Sequence, residues 1–259
     1  MLELNRIHCG DNCDLLGKMP RESVDLVVTS PPYDDLRTYG GHSWDFFGVA
    51  WHLKRVLKPG GVIVWVVADA TKDGSETGSS MEQALHFKRL GLNLHDTMVY
   101  KQAGVGAKGS NLAYWQAWEY MLVVSKGKPK TVNRQRDSQM GGCGRGGSRR
   151  TKDGTRRQNW GGQEPADDKA RDNVWEYLTG TASGEGSTGH PAPFPFDLAR
   201  DHVATWSNPG ELVLDPFVGS GTTAKAAKKL GRQFIGLEVN PEYCAIAEQR
   251  IAQGVLELA

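Results

Sequence analysis

Short apolar runs separated by helix-like stretches dominate residues 5–125. RIHCG and VDLVVT predict strands, and GVIVWVV predicts another after the helix FFGVAWHLKRVLKPGG. That helix is expected to stop at Lys58-Pro59-Gly60-Gly61, where proline and glycine both break the helical pattern. MEQALHFKRLG predicts a helix closed by Gly91. LHDTMVYK and WEYMLVVSK predict strands that return antiparallel at the edge of a sheet.

From Gly127 to about Thr188 no period survives. GGCGRGG, SRRTKDGTRR and GTASGEGSTG are rich in glycine, serine and basic residues, and Asn173-Val174-Trp175-Glu176-Tyr177-Leu178 is the one apolar island. Order returns at His190. PFDLARDHVATWS repeats its apolar positions near helical spacing. The strand ELVLD, the helix TTAKAAKKLG and the strand RQFIGLEV then form one βαβ unit, followed by a helix opening at Pro241. The segments expected are 1–125, a variable insert over 126–188, and 189–259.

The chain's 259 residues suit one large α/β domain carrying an insertion. No apolar stretch approaches the roughly 18 residues of a membrane span, and MLELNRIHCGDN lacks the features of a signal peptide, so a cytoplasmic protein is expected. Cys9, Cys13, Cys143 and Cys244 form no CxxC pair, and His8 with Cys9 and Cys13 falls short of a closed zinc site, so no metal is expected. The net charge of +1 hides an asymmetry. From Lys126 to Arg157, eleven Lys or Arg face only Asp137 and Asp153, a local balance of 11 − 2 = +9, which leaves 1 − 9 = −8 elsewhere. A basic insert on an acidic body suits nucleic acid, and equally suits a solvated loop.

Two segments carry the chemistry. Thr29-Ser30-Pro31-Pro32-Tyr33 leaves VDLVV, and Asp215-Pro216-Phe217-Val218-Gly219-Ser220-Gly221-Thr222-Thr223 leaves ELVL. Both therefore sit at the C-terminal ends of buried strands, where open α/β sheets bind ligands. In the second, Gly219 and Gly221 permit positive φ and close approach of the backbone to a ligand. Glu238 ends the next strand, where an acid suits ribose hydroxyls. An ATP loop would need Gly-Lys-Ser/Thr, and a dinucleotide loop GxGxxG; GSGTTA supplies neither.

Together the two segments resemble the signature pair of the beta-class amino-group DNA methyltransferases, with the catalytic motif first. The resemblance spans roughly residues 5–125 and 188–250. It implies a Rossmann-like, doubly wound α/β sheet of about seven strands with a target-recognition insert. It also implies S-adenosylmethionine bound by Asp215, Phe217, Gly219, Ser220, Gly221, Thr222, Thr223 and Glu238. In the family a stretch like His190-Pro191-Ala192-Pro193-Phe194-Pro195 covers the methionine end, which adds Phe194, although the commoner version reads HPTQKP. Gly10-Asp11 matches a pair whose acid contacts the adenine amine, while Asp11 read alone is equally a turn residue or helix N-cap.

The catalytic segment is expected to be Ser30, Pro31, Pro32 and Tyr33. Two prolines stiffen the loop and push the residues before them toward extended geometry. The exocyclic amine of a base is a poor nucleophile because its lone pair is delocalised into the ring. Acceptors placed around its hydrogens, following the family Ser30 Oγ and the Pro31 carbonyl, would concentrate that lone pair for in-line transfer. Tyr33 would stack on a base swung out of the duplex. Asp69 suits either an orienting role toward Ser30 or a cap on the next turn.

Serine at the first motif position is commoner in cytosine-N4 enzymes, so the expected reaction is methylation of cytosine N4 in double-stranded DNA. Adenine N6 is the alternative; RNA or protein methylation and an inactive DNA-binding relative are more distant. Arg134, Arg136, Arg149, Arg150, Arg156 and Arg157 are the candidate DNA contacts, and Trp160 and Trp175 candidate anchors of the insert. A homodimer through FFGVAWHL and a cognate restriction endonuclease are candidate partners.

Overall fold

The computed structural model describes residues 2–32, 44–103, 114, 116–138, 148–158, 168–178 and 195–253. In chain order, β1 (Arg6–Cys9), α1 (Asn12–Gly17), β2 (Val24–Thr29), α2 (Phe46–Val56) and β3 (Leu57–Val67) come first. A short hairpin follows, β4 (Thr71–Lys72) with β5 (Ser75–Glu76), then α3 (Ser79–Arg89), β6 (Asn93–Ala103) and β7 (Trp118–Ser125). Beyond the short strands β8 (Arg136–Ser138), β9 (Ser148–Arg150), β10 (Arg156–Gln158) and β11 (Asp168–Ala170) lies β12 (Val174–Leu178). The chain continues through α4 (Phe196–Trp206), β13 (Leu212–Asp215), α5 (Thr222–Lys229), β14 (Gln233–Glu238) and α6 (Pro241–Gln253).

Eight strands form one sheet in the order β1-β14-β13-β2-β3-β7-β6-β12. Strands β1, β14, β13, β2 and β3 pair parallel, β7 runs antiparallel between β3 and β6, and β12 pairs parallel with β6. The fold is thus the expected doubly wound α/β arrangement, with one strand more than about seven. The extra strand is the apolar island of the glycine-rich stretch. Consequently β6 and β7 pair antiparallel as expected but are not the edge, which β12 occupies.

Continuous apolar runs let each central strand feed two cores. On β3, Val62, Val64 and Val66 face one side with Leu198, Val203 and Ala226, while Ile63, Trp65 and Val67 face the other with Val49, Leu53 and Phe87. Residues two apart share a face, so no position along such a strand tolerates a charge. Asp25, at the start of β2, is the instructive exception. Burial pushes its carboxyl up, but the Lys58 ammonium, the Leu212 amide and Lys130 outweigh this and hold it below the usual range.

Helix α2 stops before the expected signal. Leu57 is already extended (φ −68, ψ 130), and Lys58-Pro59-Gly60-Gly61 lies inside β3 as an irregular stretch where the β2 register jumps from Val24↔Leu57 to Leu26↔Val62. Proline drives the residue before it out of the helical region, and Gly60 absorbs the kink at φ 77.

The described residues divide into two compact units, Met1–Asn133 with Asn173–Ala259, and Arg134–Asp172. Segments 126–133 and 173–178, within the insert expected from sequence, belong to the first. Lys130 bonds Asp25 and Glu211, Asn133 donates to the Ala204 and Ser207 carbonyls, and Trp175 stacks on His202 at 4.6 Å. The second unit holds two antiparallel pairs, β8 with β11 and β9 with β10. Among the described residues no helix is long and apolar enough to cross a membrane.

Candidate active site

Strands β1, β14, β13, β2 and β3 end on the same side of the sheet, and the signature segments follow them. Ser30 leaves β2 half-buried, Pro31 is buried and Pro32 half-buried; Tyr33 lies outside the described residues, as does Phe194. Ser30 has a bonding partner within the protein.

Asp215 ties the two segments together. Its Oδ1 accepts from Thr29 Oγ1 at 2.6 Å and from the Phe217 amide at 3.0 Å. Thr29 is the residue directly before Ser30, so one buried carboxylate fixes the start of both loops. Thr223 reinforces the junction, its hydroxyl donating to the Val28 carbonyl at 3.2 Å. Complete burial pushes the Asp215 carboxyl up to about 6 despite its donors, and nearby Glu238 adds to the rise. Beside the cofactor role expected for it, Asp215 thus has a structural one, its Oδ1 holding two protein donors.

The glycine-rich segment turns through Gly219 (φ 48) and Gly221 (φ 86) into α5. A Cβ on Gly221 would lie 3.0 Å from the Ala247 Cβ, so only glycine allows the turn to rest on α6. Ser220, Thr222 and Thr223 are almost fully buried. What this segment offers a ligand is therefore backbone. Phe217, half-buried, sits in an aromatic box, meeting Trp44 edge-on at 4.9 Å.

Glu238 is half-buried at the end of β14, and both of its oxygens are oriented. Oε2 accepts from the Gly219 amide at 3.0 Å and Oε1 from the Asn240 amide at 2.9 Å. Each carboxylate oxygen keeps further acceptor capacity, which suits a pair of hydroxyls. The Gly10 amide donates to the Glu238 carbonyl at 2.8 Å, bringing Asp11 beside this acid. Asp11 also caps α1, accepting from the Asp14 amide at 3.0 Å.

Asp69, whose role the sequence left open, caps α3. It accepts from the Ser80 amide at 2.8 Å, Ser80 Oγ at 2.6 Å and Ser79 Oγ at 3.1 Å. Arg250, which donates to Ser220, carries no signal in the sequence, and Thr29, although it opens the first signature segment, gives no sign there that its hydroxyl meets Asp215.

The arginines of the second unit are placed by backbone. Arg149 pairs with Arg157 and Arg150 with Arg156 across β9 and β10, which concentrates four cations on one hairpin. Arg134 and Arg136 are exposed where this unit begins. Four arginines within one short backbone hairpin suit an anionic partner. Among the described residues no cluster of His, Cys, Asp and Glu is suited to a metal.

The set fits S-adenosylmethionine: Glu238 accepts from a glycine turn whose side chains are buried, and Asp11 follows the adjacent strand. The profile of the DNA methylase family matches residues 24–249. The orphan methyltransferase M.BamHII of Bacillus amyloliquefaciens is 46% identical over 241 residues, covering 90% of this chain and 91% of that protein. The type II methyltransferase M.BglII of Bacillus subtilis is 30% identical over 261 residues, 95% of this chain and 68% of that one. A candidate DNA modification methylase of Thermus thermophilus, solved with S-adenosyl-L-methionine, is 26% identical with a TM-score of 0.64, covering 97% and 96% of the two chains.

Proposed function

The chain belongs to the DNA methylase family, and from that premise we propose that it methylates the exocyclic N4 amine of cytosine in double-stranded DNA, with S-adenosylmethionine as cofactor. The observation that carries the reading is the Thr29–Asp215 bond, which fixes the starts of the Ser30-Pro31-Pro32 and glycine segments against each other in the protein interior. A methyl acceptor and a methyl donor must meet within about 3–3.5 Å, and a shared rigid anchor serves that need.

Bound S-adenosylmethionine supplies a methyl group made electrophilic by its attachment to a cationic sulfur. Glu238, oriented by two amides, accepts from ribose hydroxyls, and Asp11 accepts from the adenine amine. The backbone between Gly219 and Thr222 lies against the cofactor, and Phe194 covers its methionine end. Opposite, Ser30 Oγ and the Pro31 carbonyl accept the two hydrogens of the target amine, so the nitrogen pyramidalises and its lone pair leaves the ring. Tyr33 stacks on the extruded base. Arg134, Arg136, Arg149, Arg150, Arg156 and Arg157 contact DNA, chiefly its phosphates, and binding therefore weakens steeply with salt.

The choice of cytosine rests on serine at position 30. Incubation with unmethylated genomic DNA and isotopically labelled S-adenosylmethionine, digestion to nucleosides and mass spectrometry tests it. Label in N4-methylcytosine is expected. Label in N6-methyladenine would move the target base while keeping cofactor and site, and unlabelled DNA would overturn the reading.

The ribose contact makes a separate prediction. Glu238→Ala should weaken cofactor binding by about 10–100-fold, the range for losing hydrogen bonds to a charged group. Titration calorimetry with S-adenosylhomocysteine measures this, and an unchanged affinity would refute the contact.

A further inference from the structure

Arg250 stands on α6, outside both signature segments. Its Nη1 donates to the Ser220 carbonyl at 2.6 Å and to Ser220 Oγ at 2.7 Å, and lies 3.4 Å from Thr222 Oγ1. The other end of the same peptide is also engaged, since the Gly221 amide donates to the Val218 carbonyl at 2.8 Å. The Ser220–Gly221 peptide plane is therefore pinned at both poles.

Ala247, three residues earlier on α6, supports the adjoining Gly221. One helix face thus offers a methyl group and a guanidinium to a single turn. The contact is answered in return: Lys228 of α5 donates to the Ile251 carbonyl at 3.1 Å. A cation at the N-terminal end of α5 opposes the helix dipole, so electrostatics of the helix alone do not account for arginine here. The Ser220 carbonyl, turned back toward α6, receives the guanidinium.

We propose that Arg250 is a positioning residue for the cofactor. By holding the Ser220 carbonyl toward α6, it keeps the backbone from Gly219 to Thr222 in the shape that accepts S-adenosylmethionine. The proposal rests on the reading of this turn as the cofactor site. Arg250 touches the turn from the protein side, so its loss should act on affinity far more than on the chemical step.

The test compares wild type, Arg250→Ala and Arg250→Lys by calorimetric titration with S-adenosylhomocysteine, by steady-state kinetics and by thermal melting. Loss of a charge-assisted hydrogen bond predicts binding about 10–100-fold weaker in the alanine variant. KM for S-adenosylmethionine should rise in parallel, with kcat at saturating cofactor much less affected. Lysine, keeping one charged donor without the planar fork, should recover part of the affinity. Affinity within about twofold of wild type, or a fall in kcat as large as the loss of affinity, would overturn the positioning role. If the alanine variant does not fold, the lysine variant decides by the same split between affinity and kcat. A wild-type protein that binds no S-adenosylhomocysteine would refute the reading of the turn itself, and this role with it.

Discussion

Ser30→Ala is expected to abolish methyl transfer while leaving S-adenosylhomocysteine binding near its wild-type strength. Removing one prearranged polar group at a reacting centre costs about 10²–10³-fold in kcat. Ser30 is one of two acceptors proposed for the target amine, and alanine leaves one N–H of that amine without a partner. Tyr33→Ala should show the same dissociation for another reason, since the extruded base loses its stacking surface. Single-turnover transfer to DNA, measured beside calorimetric titration, separates the two functions. If both fell together in the serine variant, Ser30 would be a structural residue of the loop and not an acceptor.

Asp215→Ala should give the opposite pattern, losing transfer and cofactor binding at once. The variant leaves Thr29 Oγ1 and the Phe217 amide without their buried acceptor. Unsatisfied buried donors cost about 1–3 kcal/mol each, so a destabilisation of about 2–6 kcal/mol is expected. Denaturant melts, with the two binding and transfer assays, check this.

The isosteric Asp215→Asn keeps an acceptor for Thr29 and removes the titration. The unfolded chain ionises this carboxyl near 3.8, whereas burial holds it protonated to about 6 in the folded protein. The native state thus binds the extra proton between those values. Its stabilising effect is complete below pH 3.8 and is lost as pH rises through about 6. The melting temperature of wild type minus that of the asparagine variant should accordingly decline across that interval. A flat difference would show that the carboxyl titrates normally.

How far the sequence could be read depends on the range of the interactions involved. VDLVVT and LVLD announce β2 and β13 because apolar runs closed by proline or glycine are local signals. The same locality misleads at Lys58-Pro59-Gly60-Gly61. Those residues forbid helix, but they do not reveal that pairing with β2 draws them into a strand. Strand β12 alternates exposed and buried positions, with Trp175 and Tyr177 inward, yet nothing in VWEYL names β6 as its partner.

The site divides in the same way. Ser30, the glycine turn and Glu238 stand out because backbone geometry demands particular residue types there. Asp11 and Asp69 read two ways, since a cap calls for a carboxylate as much as a ligand contact at Asp11 or an orienting role toward Ser30 at Asp69 does; bonds to Ser79 and Ser80 show that Asp69 caps α3. Asp215 stands out in its motif, but its bond to Thr29 is not legible there, because it joins residues far apart in the chain. Arg250 was invisible, a charged residue on an amphipathic helix looking the same whether it meets water or a carbonyl.

The chain leaves the main body after Asn133 and rejoins it at Asn173, and both points are fastened there. Asn133 is held by the Ala204 and Ser207 carbonyls, beside Trp206, while Asn173 reaches Asp96 and the Thr97 carbonyl, next to His95. His95 and Trp206 are themselves in edge-on contact at 5.7 Å, so exit and re-entry lie close together. Exchange at those two junctions would replace the unit from Arg134 to Asp172, which among the described residues adds nothing to the two hydrophobic clusters of the body. Chimaeras joined at Asn133 and Asn173 would keep the body and replace the second unit alone.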